Sequence, residues 1–343
     1  KKGKEMKAAK VKKYDKNNIK LMMADVERPS IGRKDVLVKV RAAGVNPLDN
    51  MISRGEVKMI VPYKLPLIAG NEFVGIVEEL GEEVLGFDVG DRVFARLPLA
   101  RIGAFAEYLA VDEGAIAKVP DYLTDLEAAA VPLTALTIMQ ALELMSAEAG
   151  KTIFISGGTG SVGAMAIPIA SAKGLTVITN GSAANKERVL KLGASRFIDY
   201  KSEDYTKVLS DIDYVLDTLG GNETEKQMSI LKKGGKLVSL RAMPNGSFAK
   251  RMNLPKWKQI LLGIAGHKFD KMAQRYGVSY DFIFVESNGQ QLKEVAAIFD
   301  ELKIKPSIDT VYAFGDVNAA LDKVALGHSK GKTVISMVEE IEG

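Results

Sequence analysis

The sequence predicts an α/β protein built on a doubly wound parallel sheet, with a second, mostly β unit. Three observations predict it. From about residue 150, short apolar runs alternate with helical patterns: 152–156, 161–173, 175–179, 185–192, 196–199, 213–217, 222–232 and 236–240. Residues 6–123 read instead as strands and turns. There Val36, Val38 and Val40 alternate with Leu37, Lys39 and Arg41, and 73–77 and 105–109 are further strands. Gly44, Gly55, Gly81, Gly86 and Gly90-Asp91 supply the turns, and no helical period persists. Finally, 343 residues exceed one small core, so two domains are expected.

The texture changes at Thr124. Thr124-x-x-Glu127 matches a capping box, and the alanine-rich helix behind it breaks near Pro132 and resumes over 134–145. Gly193 is placed to end a helix. Residues 241–279 read as irregular and basic and hold the chain's one tryptophan, Trp257. A strand over 280–285 follows. The tail then carries two amphipathic helices, one on Leu292, Val295, Phe299 and Leu302 and one on Val317, Ala320, Leu321 and Val324, before a strand over 333–338.

Composition removes several functions. With 47% apolar and 26% charged residues the chain is an ordinary globular one. It has no cysteine, which excludes disulfides, thiolate zinc sites and cysteine nucleophiles. A cytoplasmic location is expected on the same ground. His267 and His328 are its two histidines; neither is given a role, and a multi-histidine metal site is not expected. No apolar run follows the basic first residues, so no secretory signal is expected, and Met6 is a candidate natural start. The most apolar window, 128–145, is too short and polar for a bilayer. Residues 249–277 hold seven Lys or Arg against Asp270, a net of +6 in a chain of +4 overall. A solvated helical face is the favoured reading, with a nucleic acid or membrane surface as the alternative.

The chemistry is concentrated after the strand at 152–156. Gly158-Thr159-Gly160-Ser161-Val162-Gly163 fits G-x-G-x-x-G between a strand and a helix, where Val162, Ala166, Ile169 and Ala170 recur at helical spacing. The first glycine permits the turn, the second lets the backbone approach a pyrophosphate, and the third lets helix and strand pack. Amides at the new helix's N-terminus then face the phosphates. Pro168 should kink this helix or cost it a hydrogen bond. A dinucleotide site is expected, a plain glycine-rich turn being the other reading.

The ribose end points to NADP(H). An NAD site wants a carboxylate at the tip of the second strand, here 175–179, but Asn180 stands there and no acid appears before Glu187. Ser182, Asn185, Lys186 and Arg188 follow instead and can donate to a 2′-phosphate; otherwise they are solvent residues at a helix start.

These pieces together resemble the zinc-free branch of the medium-chain dehydrogenase/reductase superfamily, the quinone oxidoreductase-like group. The resemblance spans nearly the whole chain. It rests on Gly44-Val45-Asn46-Pro47-Leu48-Asp49, Gly70-Asn71-Glu72-Phe73-Val74-Gly75, Gly90-Asp91-Arg92-Val93 and Ala128-Ala129-Ala130-Val131-Pro132-Leu133 with Leu136-Thr137. The glycine turn, Leu192-Gly193-Ala194 leading to Asp199-Tyr200, and Gly331-Lys332 complete it. It implies a GroES-like catalytic domain from both chain ends, 1–122 and 288–343, around a Rossmann NADP-binding domain at 123–287. It also implies a homodimer through 280–285.

In zinc-dependent relatives three side chains hold the metal; Asn46, Asn71 and Leu133 match them here and cannot replace them. The four-cysteine structural-zinc lobe is missing too. The resemblance places Tyr200 beside the 2′-phosphate, and Asn46, Thr137, Gly220, Gly221 and Lys332 toward the nicotinamide. Asp49 is read as a structural brace. Met51 stands where many relatives carry a tyrosine, and Tyr63 is a substitute on position alone, a packed or surface tyrosine being preferred. The expected activity is zinc-independent, NADPH-dependent reduction of a quinone or of the C=C bond of an α,β-unsaturated carbonyl. The alternatives are an enoyl-thioester reductase and a low-turnover NADPH-binding regulatory or nucleic-acid-binding protein.

Overall fold

The structure, a computed structural model, describes residues 4–327 and 329–338, so His328 lies outside the described residues. Two compact units divide the chain: residues up to Leu136 together with those from Glu286 onward, and Thr137–Val285.

The first unit opens with β1 (Glu5–Val11), β2 (Met22–Glu27) and β3 (Asp35–Val45). A helix not expected from the pattern, α1 (Pro47–Arg54), follows at once. Pro47 is preorganised for its first turn, and the Asp49 carboxylate accepts the Asn46 N–H at 2.7 Å. Gly55, at φ 77°, ends it in the left-handed region. β4 (Leu67–Ile68), β5 (Glu72–Leu80), β6 (Arg92–Arg96), β7 (Tyr108–Asp112) and β8 (Ala117–Lys118) complete this stretch. α2 (Asp125–Ala129) has the expected capping box, with Glu127 N–H donating to Thr124 Oγ1 at 3.2 Å and Thr124 N–H to Glu127 Oε1 at 3.0 Å. Because α2 packs on β3 and β5, the first unit extends past residue 122, and α3 (Pro132–Leu144) carries the chain across the division.

The second unit alternates as read. It contains β9 (Thr152–Ile155), α4 (Ser161–Ala172), β10 (Thr176–Gly181), α5 (Lys186–Leu192), β11 (Arg196–Asp199), α6 (Tyr205–Val208), β12 (Ile212–Asp217), α7 (Asn222–Met228) and β13 (Leu231–Ser239). Where irregular chain was expected, three helices form instead: α8 (Gly246–Arg251), α9 (Lys256–Ala265) and α10 (His267–Tyr276), before β14 (Ser279–Phe282). α4 runs through Pro168 without a break. Among the described residues the sheet has the order β11-β10-β9-β12-β13-β14, every neighbouring pair parallel. The order reverses between β9 and β12, the position at which open α/β sheets bind ligands.

The tail returns to the first unit as α11 (Gly289–Leu302), β15 (Ile308–Ala313), α12 (Val317–Leu326) and β16 (Lys332–Ser336). α11 buries Leu292, Val295 and Phe299, but Leu302, expected on the same face, is half exposed. β16 pairs antiparallel with β3, so the two chain ends share a sheet of order β15-β16-β3-β5-β6-β8, with β7 also on β3. The sheet sets Thr333 of β16 opposite Val45 of β3, and Gly44 of β3 opposite Glu72 of β5. It therefore brings three distant segments, around residues 46, 72 and 332, to one place.

Candidate active site

That convergence is a buried polar cluster in the first unit. Asn46, Asp49, Asn71, Glu72, Arg96, Thr134 and Lys332 are all buried. Buried charge must be paired and hydrogen-bonded, and Glu72 and Lys332 meet that requirement together. Asn46 Nδ2 donates to Glu72 Oε1 at 2.9 Å, while Asn46 Oδ1 accepts from Lys332 Nζ. Lys332 Nζ also contacts Glu72 Oε1 at 2.7 Å and Thr134 Oγ1 at 3.2 Å, so its three N–H bonds have three partners. The second Glu72 oxygen accepts the Leu133 backbone N–H at 2.7 Å. Across the cluster, Asn71 Nδ2 donates to Asp49 Oδ1 at 2.6 Å and Asn71 Oδ1 accepts from Arg96 Nη1 at 2.7 Å. Only glycine fits at 44, since a Cβ there would lie 2.1 Å from Glu72 Oε1.

Burial pushes the Asp49 carboxyl up to about 6 despite hydrogen bonds from Asn46 and Asn71. Burial also lowers the Arg96 guanidinium to about 10. Asp49 thus braces the cluster, as expected, from the first turn of α1. Tyr63 is committed elsewhere: its hydroxyl donates to Leu99 O at 2.6 Å, and burial raises its pKa to about 12.

These residues do not fit zinc. Both ends of the Asn46 and Asn71 amides are occupied, the Leu133 side chain is a hydrocarbon, Glu72 already faces Lys332, and Asp49 already accepts from Asn46 and Asn71. Among the described residues no group of three or more His, Cys, Asp or Glu could hold a metal ion.

The second unit holds the glycine turn between β9 and α4. Its left-handed residue is Gly157, at φ 63°, one place before the motif. Gly158 is needed for a different reason: a Cβ there would lie 2.0 Å from Thr179 Oγ1 on β10. A Cβ on Gly163 would stand 2.3 Å from Gly158 Cα, so that glycine lets α4 press on the turn. A Cβ on Gly160 would meet nothing nearer than Gly157 O at 3.5 Å, which leaves this edge open to an approaching phosphate. Thr159, Ser161 and Val162 complete the turn and the first turn of α4.

Asn180, at the tip of β10, accepts the Gly157 N–H at 2.9 Å and is buried. It lines an open cavity of about 780 Å³ with Gly157, Gly181, Tyr200, Lys201, Leu219 and Lys226 among others. Tyr200 reaches the rim because its N–H donates to Gly181 O at 3.2 Å. Ser182 and Lys186, expected beside Asn180, are not among the lining residues; Lys186 starts α5 on the surface. Lys201 and Lys226 are the lysines that line the cavity, and the sequence reading singled out neither because they lie beyond other strands of the sheet. Arg188 instead donates to Thr159 O at 2.8 Å and so holds the turn.

At the end of β12, buried Asp217 shapes the loop that carries Gly220. Its Oδ1 accepts Leu219 and Gly220 N–H, each at 3.0 Å, and Gln227 Nε2 at 2.8 Å. Its Oδ2 accepts Thr224 Oγ1 at 2.6 Å and Ser239 Oγ at 2.8 Å. Gly220 and Gly221 have φ 69° and 57°, which explains the glycine pair. Thr137 lies on α3, half-buried.

Comparison with known proteins places this architecture. Residues 32–121 match the alcohol dehydrogenase GroES-like domain, and 192–335 match a domain described as zinc-binding dehydrogenase. The NAD(P)H oxidoreductase RTN4IP1, mitochondrial, of Danio rerio is 33% identical, the match covering 96% of this chain and 91% of that protein. The chain belongs to the medium-chain dehydrogenase/reductase superfamily. The 2-methylene-furan-3-one reductase of Solanum lycopersicum is 30% identical over 96% of this chain and 79% of its own length. Among solved structures, the quinone oxidoreductase from Coxiella burnetii superposes with a TM-score of 0.80 at 27% identity, covering 98% of this chain and all of that one. These relatives place the chain in the quinone oxidoreductase-like group of the superfamily.

The relatives also correct one expectation. A cytoplasmic location does not stand, because the RTN4IP1 proteins are named mitochondrial and other relatives chloroplastic. Lack of cysteine removes disulfides; it does not name a compartment.

Proposed function

We propose that this NADP(H)-dependent oxidoreductase of the medium-chain superfamily needs no zinc and reduces the C=C bond of an α,β-unsaturated carbonyl, or a quinone. One observation carries the reading: the positions that hold metal in zinc-dependent relatives form a closed hydrogen-bonded network around the Lys332–Glu72 pair. NADPH, when bound, supplies the hydride. Its phosphates fit the open Gly160 edge of the glycine turn, and the 2′-phosphate fits the cavity lined by Asn180, Tyr200 and Lys201.

The protein's part is to orient the acceptor and stabilise the charge that develops on it. A simple ketone concentrates that charge on one oxygen, which a Lewis acid offsets by several kcal/mol in zinc enzymes. An enone or quinone delocalises it, so hydrogen bonds suffice. Asn46 retains one donor for this, because its amide nitrogen has two hydrogens and Glu72 takes one. Thr137 keeps the nicotinamide-side contact that the resemblance gives it. Lys332 spends its donors on the network, and its role is to hold the Asn46 amide in register. The carbonyl-bearing carbon chain can take its final proton from water, so no dedicated acid is required.

Self-association is assigned to β14, which among the described residues ends the sheet of the second unit with one unpaired edge. The test of function compares steady-state NADPH oxidation on an enone and on its saturated ketone. The enone should be the faster substrate, and activity should survive exhaustive chelation. Faster turnover of the ketone, or loss of activity with zinc removal, rejects the reading.

A further inference from the structure

α9 turns its apolar side outward. Trp257, Ile260, Leu261 and Ile264 are 57%, 60%, 47% and 69% exposed, whereas Leu262 alone on this helix is buried. At the helical repeat these four occupy one arc of roughly 100°. Lys256 and Lys258 stand at the two borders of that arc, and the Lys258 ammonium lies 5.5 Å from the Trp257 ring centre. α10, directly after it, exposes Lys268 and Lys271. A solvated face, the simplest reading of the basic stretch 249–277, would not carry four large apolar side chains into water.

We propose that this face docks on an anionic lipid surface. An interfacial helix lays its apolar side into the headgroup boundary while flanking lysines meet lipid phosphates and carboxylates, and tryptophan favours that boundary. The charge on the patch selects this occupant. A second copy of the chain would bring the same basic stretch, with its net of +6, against itself. A nucleic acid would use the lysines but leave the apolar arc in water. An anionic bilayer satisfies both. α9 is too short to span a membrane, and among the described residues no helix is long and apolar enough to do so, so the attachment is peripheral.

The chain provides its own probe, because Trp257 is its only tryptophan. The 343-residue chain is mixed with phosphatidylcholine vesicles with and without phosphatidylserine, and followed by co-sedimentation and tryptophan emission. The expected result is binding to the phosphatidylserine vesicles with a blue shift of emission, and at least tenfold weaker binding to phosphatidylcholine alone. Two double variants, Ile260→Gln/Ile264→Gln and Lys256→Glu/Lys258→Glu, should each weaken binding at least tenfold. Both alter exposed side chains, and the acidic pair suits a helix N-terminus, so thermal melts should match the parent. The proposal is overturned by absence of vesicle binding, by equal binding to neutral vesicles, or by binding without a Trp257 shift. It is also overturned if Ile260→Gln/Ile264→Gln dissociates a dimer, which would assign the face to a second copy. Binding of an RNA oligonucleotide in place of vesicles, indifferent to that variant, would assign it to nucleic acid.

Discussion

Lys332 Nζ lies 2.7 Å from Glu72 Oε1, with the carboxylate side chain fully buried and the lysine side chain 10% exposed. This pair fastens β16, from the end of the chain, to β5, near its beginning. Its energetic weight lies less in net attraction than in what remains when one partner goes. Lys332→Met leaves Glu72 charged in the interior with its Lys332 contact gone. The expected loss of stability is about 3–5 kcal/mol, measured by denaturant unfolding. Adding Glu72→Gln should recover part of it, since the uncompensated charge is then removed. A single-variant loss below about 1 kcal/mol would show the pair to be dispensable.

Asp49 gives a pH-dependent signature of the same cluster. Its carboxyl is raised from the ordinary 3.8 to about 6, chiefly by burial. Between those values the folded protein holds a proton that the unfolded chain has released. The contribution of Asp49 to stability is therefore greatest below this window, declines as pH rises through it, and is flat above it. Carbon-13 chemical shifts of the Asp49 carboxyl should titrate with a midpoint near 6. An ordinary aspartate midpoint would mean that water reaches the cluster.

The two elements of the site differed in how far the sequence revealed them. The glycine turn was legible because its spacing is local: a strand, three glycines and a helix lie within about a dozen residues. Its finer logic was not. The positive φ belongs to Gly157, and Gly158 is required by Thr179 on the next strand, a contact that local spacing does not contain. Asn46, Asn71, Leu133 and Lys332 stood out by resemblance, but the bonds that join them did not, and Arg96 was not singled out at all. Arg96 and Lys332 reach them through strand pairing across long stretches of chain, and pairing register is not written in either strand alone. α1 escaped notice because its start signal is a proline and an aspartate rather than an apolar period. α9 escaped for the opposite reason: its period is present, but it faces outward.

Cofactor choice should respond to Asn180. Asn180→Asp preserves the acceptor for the Gly157 N–H, so the turn should survive, while the new carboxylate repels a 2′-phosphate in the cavity it lines. A charge-assisted hydrogen bond contributes about 1.5–3 kcal/mol, so NADPH affinity should fall roughly ten- to a hundredfold relative to NADH. Lys201→Ala should shift the ratio in the same direction. Dissociation constants for both cofactors check this, and equal values in the parent protein reject it.

Gly160 and Gly163 separate cofactor approach from folding. At Gly163 an added Cβ would lie 2.3 Å from Gly158 Cα and 2.7 Å from Gly157 O, backbone atoms that cannot swing aside. Gly163→Ala must therefore push α4 off the turn, with an expected loss of roughly 1–3 kcal/mol of stability from overpacking. At Gly160 the backbone is at φ −78°, an ordinary value, and the added methyl meets only Gly157 O at 3.5 Å. Gly160→Ala should then melt like the parent, yet the methyl occupies the edge along which a pyrophosphate approaches. Weaker NADPH binding with unchanged melting is the expected outcome for Gly160→Ala, against lowered melting for Gly163→Ala. Both are read from thermal unfolding and cofactor titration of the same preparations. Parent-like NADPH affinity in Gly160→Ala would place the pyrophosphate elsewhere than over this turn.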